Sequence, residues 1–394
     1  MLSLAPLLLA AIHVVHTGFE GARLERVEQV APAHFRCHLR GDVDQDGRNR
    51  QANWYYFRID GARGREVTID LTGLPGEYNY QPNRGAVTKD TVPVWSDDNV
   101  HWRHFENTEF DAAEPRLRLR LTPARNRVWI AHVPPYTNVN LKRLLSEHRR
   151  SPYLHIDSES SMPLLTITDT KAADQTKKVI WLMFRQHAWE TGSSWAGEGA
   201  VRFLLSANAE ADRIRRAAIF KIFPMADPAG VRRGNVRFNA AGFDLNRNWD
   251  IDDAIEMPEI AAQKHAILKW VDSRKPIDLF LSLHNTETSE YLEGPPAGFD
   301  DLGPRFFAAL QSGSQFAPTR PYFRAAVTTT EGKPGRMTVS QGLYHLRKLP
   351  AFTMEQMIAR NPKLGHLPNV EDRVAFGAGL VRCAFAALDE GSAR

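Results

Sequence analysis

The tract Pro134-Pro135-Tyr136 marks a change of pattern that a single layer architecture does not accommodate. Before it, from about residue 18 to 134, short alternating or β-branched runs (54–59, 66–71, 117–121, 128–133) are separated by Gly, Pro, Asn and Asp clusters. Short strands with turn signals at regular intervals predict a β-sandwich or small barrel. The aromatic, turn-rich stretch 78–104 is expected to form long loops between them. After Tyr136, a short helix over 140–148 carries the chain across, and strand patterns then alternate with helical ones. Strands are expected at 178–185, 218–225, 279–283 and 351–354, and helices at 195–207, 256–273 and 371–388. That alternation predicts an α/β domain with a mixed, mostly parallel sheet and helices on both faces. An antiparallel β-sandwich over 18–140 should therefore precede a second domain over 141–394.

Composition narrows the classes of function. With 43% apolar and 24% charged residues the chain reads as globular, and 394 residues suffice for two cores. A net charge of +4 without any block of like charges gives no support to nucleic-acid binding. Cys37 and Cys383 form no repeated pattern and are expected to be two unpaired, buried thiols. The apolar run over 1–15 is shorter than the ~20 residues that span a bilayer, so no stable membrane insertion is expected. Its length suits a signal-peptide core, and export to a periplasmic or secreted location is favoured over a cytoplasmic one.

In parallel sheets ligands bind beyond the carboxyl ends of the strands, and polar residues follow each expected strand in turn. His187 and Glu190 follow the first, Asp227 the second, His284 the third and Glu355 the fourth. Two imidazoles and a carboxylate, His187, His284 and Glu190, make a ligand set for one catalytic Zn2+ with an open position for water. Glu355 ends an apolar strand, where a carboxylate is costly without a partner, and a general base beside an activated water would have one. The carboxylates of Glu287 and Glu290 are expected on a loop or rim. A third group, Gly234-Asn-Val-Arg237 followed by Asp244-Leu-Asn246-Arg247-Asn-Trp249, brings two guanidinium forks that suit a carbonyl oxygen and a free carboxylate.

With these residues in hand, the chain resembles the M14 family of zinc carboxypeptidases, and most closely its cytosolic-carboxypeptidase-like branch. The resemblance rests on Arg185-Gln-His187-Ala-Trp-Glu190, the stretch Phe220–Val231 with its Asp227-Pro-Ala-Gly230, the two arginine motifs, Leu283-His284-Asn285 and Phe352-Thr-Met-Glu355, in that order. It implies His187, Glu190 and His284 as zinc ligands and Glu355 as general base. It also implies Asn246 and Arg247 as the pair that binds the substrate's terminal carboxylate, and Arg237 as the group that stabilises the oxyanion. Residues 141–394 would then be the catalytic domain of a metallocarboxypeptidase acting on peptide or protein C-termini. A β-sandwich followed by a Pro-Tyr-Thr turn, here Pro135-Tyr136-Thr137, belongs to the same resemblance.

The chain departs from the family in placing Ala188-Trp189 where Pro-Gly is usual, and Ala188 and Trp189 are expected to shape a pocket wall. The loop tyrosine of other members has two candidates, Tyr322 and Tyr344. Relatives in this branch often remove acidic residues, which directs attention to Arg320, Arg324, Lys333 and Arg336 as pocket cations. Two alternatives use the same residues differently: a deacylase of N-acyl amino acids, or a catalytically silent binding protein.

Overall fold

The computed structural model describes residues 11–389 apart from 48–49, 79–80, 84–86, 158–161, 274 and 330–333. Two five-stranded sheets form the sandwich of the N-terminal part. Their construction follows from alternation: Arg116–Leu121 reads Arg-Leu-Arg-Leu-Arg-Leu, and all three leucines are buried while the arginines face outward. Leu117 and Leu119 join Phe57, Ile59, Ile69, Leu71, Val128 and Ile130 in one core between the sheets. Pairing is antiparallel except between His34–His38 and Val67–Thr72, which run parallel. The stretch expected to be loops contributes the strands Val94–Ser96 and Arg103–His104 to one sheet, and a third, four-stranded sheet takes in Gly76–Tyr78 and Gln81–Asn83. Aromatic and turn residues hid these strands because each is only two or three residues long. At the N-terminus, Ile12 is buried and His13–Val15 pairs with Tyr56–Asp60. The end of the run read as an export core is thus built into the sandwich; residues 1–10 lie outside the described ones.

The second part is built on one eight-stranded sheet. Its strands, numbered in chain order, are β1 (Leu154–Asp157), β2 (Leu164–Ile167), β3 (Lys178–Phe184), β4 (Ala218–Phe223), β5 (Leu279–Thr286), β6 (Tyr291–Gly294), β7 (Phe323–Arg324) and β8 (Ala351–Met357). They lie in the order β1-β2-β4-β3-β5-β8-β6-β7. The central four, β4, β3, β5 and β8, are parallel, while β2 and β6 run antiparallel to their inner neighbours β4 and β8.

The helices are α1 (Asn138–His148), α2 (Thr191–Leu204), α3 (Ala209–Ala217), α4 (Pro228–Arg233), α5 (Pro258–Asp272), α6 (Leu302–Gly313), α7 (Val339–Arg347) and α8 (Val370–Leu388). Strand β3 is apolar from Val179 to Phe184 because both faces are covered. Ile180, Leu182 and Phe184 enter a core with residues of α2, α6 and α8, while Val179, Trp181 and Met183 enter one with residues of α5 and α7. Both cysteines are free and buried. No described helix is long and apolar enough to cross a membrane.

Candidate metal centre

The site begins where β3 stops. Arg185 follows Phe184 with φ 63°, a left-handed conformation that turns the chain out of the sheet. Its side chain is buried and fully engaged: Nε and Nη2 donate to the Ala188 carbonyl at 2.9 and 2.6 Å, and Nη1 donates to Tyr136 O and Ser194 Oγ at 3.2 and 3.1 Å. Burial pushes this guanidinium down to about 9, against the opposing charges of Glu190 and Asp227. Ser193 closes the loop from the other side, accepting from Arg185 N at 3.1 Å and donating to Glu190 O at 2.7 Å. The 185–190 loop is therefore pinned between α2 and the turn that leaves the sandwich.

On that loop His187 Nδ1 meets Glu190 Oε1 at 2.6 Å, and from β5 His284 Nδ1 meets Glu190 Oε2 at 2.8 Å. One ligand atom from each residue lies within 4.8 Å of the others, and all three residues are buried. The outward nitrogens are also held. His187 Nε2 lies 3.0 Å from Asp244 Oδ1, and His284 Nε2 lies 3.0 Å from both Gln186 Oε1 and Ser282 Oγ. Two ring nitrogens and a carboxylate facing one point, with each ring fixed from behind, fit a zinc ion in donor set and in outer support. Burial raises the Glu190 carboxyl, but His187 and His284 outweigh it and hold it below the usual range. Burial and Arg237 press His187 down, and Glu190 with Asp244 bring it above its ordinary value.

Asp244 links this group to the arginines. Its second oxygen accepts from Arg237 Nε at 2.7 Å, so one carboxylate orients both His187 and Arg237. Asn246 turns its amide inward, with Nδ2 3.3 Å from His284 Nε2 and Oδ1 accepting from Val339 N at 2.9 Å. Arg247 is half-buried and donates through Nη1 to Asn246 O at 2.7 Å.

Glu355 stands opposite His284 in the β5–β8 register. It shares a cleft with Glu190, Arg237, Trp189 and Glu287. Its Oε2 is buried without a hydrogen-bond partner. Burial, then Glu190, pushes its carboxyl well above the usual range, with Arg237 opposing.

Four residues with clear functions here were not singled out in the sequence: Arg185, Gln186, Asp244 and Asn53. The first three lie inside the quoted motifs, and the signal available was the position of Arg185 and Gln186 directly after an apolar strand and of Asp244 between Phe243 and Leu245. Asn53, from the sandwich, donates to Glu287 Oε1 at 3.1 Å and lines the same cleft. The rim assignment fails for Glu290, which is fully buried with Oε1 accepting from Ala317 N and Oε2 from Asn361 Nδ2, both at 3.3 Å. Its carboxyl is raised by burial to about 7.

Trp189 lines the cleft and also packs with Trp54, Tyr56 and Val133 of the sandwich. Ala188 packs with Tyr136 and Trp195. Tyr322 is wedged so that a Cβ at Gly294 or Gly303 would strike its hydroxyl. Tyr344 lies on α7 beneath the Lys348 ammonium, 4.4 Å from its ring centre. Among the expected pocket cations, Arg324 is bound to Asp300 and Gly298 O. Lys333 lies outside the described residues.

Residues 158–293 match the zinc carboxypeptidase family, and they carry His187, Glu190, Arg237, Asp244 and His284. Over those residues the chain is similar to that family. Residues 15–133 match a second family, the cytosolic carboxypeptidase N-terminal domain. Cytosolic carboxypeptidase 3 of Mus musculus is 27% identical over 301 residues, covering 69% of this chain and 29% of that protein. The chain thus spans less than a third of the length of that family relative. A Zymomonas mobilis protein, ZMO1242, is 26% identical over 289 residues, covering 73% of this chain and 71% of its own. A metallo-carboxypeptidase from Burkholderia cenocepacia shares the fold, with a TM-score of 0.78, 23% identity and 96% of this chain covered. The expectation of export is corrected here. The N-terminal family is of the cytosolic carboxypeptidase type, and its match begins at residue 15, within the apolar run that had suggested a leader.

Proposed function

We propose that the chain is a zinc metallocarboxypeptidase that removes the C-terminal residue of a peptide or protein, with a sandwich over 18–140 and a catalytic domain over 141–394. The observation that carries this reading is the orphaned Glu355 Oε2, buried in the cleft that Arg237 and Glu190, a member of the His187–Glu190–His284 cluster, also line. His187, Glu190 and His284 would hold Zn2+, which when bound lowers the pKa of a water toward ~7. Glu355 would act as the base that takes a proton from the attacking water and gives it to the departing nitrogen; its raised affinity for a proton suits both halves of the transfer. Arg237, held by Asp244, donates to the carbonyl oxygen as it gains charge. Arg247 pairs with the free carboxylate and restricts the site to chain ends. Asn246 adds its amide to that grip while steadying His284.

Mass spectrometry of a mixed peptide library after incubation with the zinc-loaded protein tests the reading. Single residues should disappear from C-termini, activity should stop with a chelator and return with zinc, and Glu355→Gln should cost about 10²–10⁴-fold. Full activity in Glu355→Gln would remove the base assignment. Loss of an acyl group from N-acyl amino acids without any peptide trimming would instead identify a deacylase.

A further inference from the structure

Glu355 has neighbours on its own face of the sheet that the mechanism above does not use. Across β5, β8 and β6 the register aligns His284, Glu355 and Tyr291 in one row, and Ser282, Thr353 and Glu293 in the next. Side chains two apart on a strand share a face, so Glu293 stands on the catalytic side, one row further from the strand ends. Two residues of strand place it about 7 Å below the level of Glu355.

The surroundings of that lower row can be named. Thr353 Oγ1 donates to Ser340 Oγ of α7 at 3.3 Å, and the start of α7 is tied to Asn246 through Val339 N. Tyr291 stands above Glu293, with the Arg320 guanidinium stacked 3.8 Å from its ring centre and 3.9 Å from that of Phe323. Arg247 is near enough to act electrostatically on both Tyr291 and Glu293. A substrate carboxylate held by Arg247 would therefore direct its terminal side chain down toward Glu293.

Glu293 is half-buried, and its side chain makes neither a hydrogen bond nor an ion pair with any described residue. Burial raises its carboxyl above the usual range, against the pull of Arg247 and Arg320. Neither arginine satisfies it. Arg247 is committed to the substrate's carboxylate in the reading above, and Arg320 is exposed, stacked on two rings and beyond ion-pair distance. A carboxylate taken out of water and left unpaired is costly until a donor arrives.

We propose that Glu293 determines specificity by receiving the cationic end of a C-terminal lysine or arginine side chain. The lysine ammonium sits on a flexible four-carbon stem and the arginine fork on a comparable one, and either bridges a gap of this depth. An acidic terminal residue would meet Glu293 as a like charge. This assignment replaces the acidic preference suggested by the chain's relatives, and it rests on the carboxypeptidase reading for its geometry.

Two measurements on the zinc-loaded full chain test it. In the first, kcat/KM is compared for peptides that differ only in ending with Lys, Arg, norleucine or Glu. Lys and Arg should exceed norleucine by about tenfold or more, the scale of a hydrogen bond to a charged group. Glu293→Gln should bring that ratio within about threefold of unity, and Glu293→Asp should retain most of it. An unchanged Lys-to-norleucine ratio in Glu293→Gln overturns the proposal, as does a wild-type preference for Glu.

In the second, the same peptides are titrated against Glu355→Gln, with and without Glu293→Gln, and equilibrium binding is read without turnover. The Lys and Arg peptides should bind more tightly than norleucine only while Glu293 is present; equal binding overturns the proposal. If no peptide is hydrolysed by the wild type, the carboxypeptidase reading fails, and this titration still decides the role of Glu293.

Discussion

Asp244 shows how much a single carboxylate can organise. Its two oxygens take His187 Nε2 and Arg237 Nε, so the orientation of a candidate ligand and of a candidate oxyanion donor depend on the same side chain. Burial raises its carboxyl, but Arg237 and His187 together hold it well below the usual range. Replacing it by Asn keeps the shape and one acceptor while removing the charge that fixes both partners. Asp244→Asn is expected to weaken zinc binding by about 10- to 100-fold, the usual cost of losing a ligand's outer partner. Competition with a chromophoric chelator measures this directly, and an unchanged affinity would show that His187 is held by its loop alone.

The same residue marks the limit of what the sequence alone conveyed. His187, His284 and Glu355 were legible because each interrupts an apolar run at its end, and one-dimensional pattern is enough to find strand ends in a parallel sheet. Asp244 was not, because its importance lies in facing two side chains at positions 187 and 237 that only folding brings to it. Glu290 was misread for a related reason: a carboxylate between β5 and β6 looks like a rim residue until the loop folds back and the Ala317 N and Asn361 Nδ2 groups satisfy it in the interior.

At the level of elements, the ligand loop depends on how closely α2 approaches α8. Glu190 is the residue immediately before α2, so any movement of that helix moves a candidate ligand. The approach is set by glycines on both helices. A Cβ at Gly199 would strike the Val374 carbonyl, and one at Gly377 would strike that of Ala196. Both obstacles are backbone, which cannot rotate aside as a side chain can. Gly199→Ala is therefore expected to force the helices apart and to cost about 1–3 kcal/mol of stability, despite the better helix propensity of alanine. Zinc affinity should fall with it because the displacement reaches Glu190. Denaturant midpoints with and without zinc separate the two effects, and a variant that is destabilised while its zinc affinity is intact would show that Arg185 and Ser193 hold the loop independently of α2. The sequence signalled a helix here, from its apolar content, but placed its start four residues late, at 195. The polar Thr191-Gly-Ser-Ser194 opening looked like loop, and its burial against Asn285 and the ligand loop became visible only in three dimensions.

Taken as a whole molecule, the sandwich does more than precede the second domain. Trp189, between the candidate ligands His187 and Glu190, packs into a cluster with Trp54, Tyr56, Val94 and Val133, so the departure from Pro-Gly serves as a plug into the sandwich. A second connection reaches Arg237. Asp42 Oδ2 accepts from the backbone of Val236 at 2.5 Å and of Arg237 at 3.3 Å, while Arg23 Nη2 holds Asp42 Oδ1 at 2.6 Å. Arg237 is thus fixed at both ends, its main chain by the sandwich and its guanidinium by Asp244. Asp42→Ala cuts the first tie without altering a residue of the His187–Glu190–His284 cluster or Glu355, and Val236 keeps its packing against Trp189 as a second anchor. Since a misplacement near 1 Å can cost about 10²-fold, kcat should fall roughly 10- to 100-fold. KM should change little, because the proposed mechanism assigns the grip on the substrate's carboxylate to Arg247, and zinc affinity should stay at the wild-type level. Steady-state kinetics alongside zinc titration distinguishes this from general damage. A parallel loss of zinc would mean that the sandwich supports the whole loop, and unaltered kcat would mean that Asp244 alone suffices to aim Arg237.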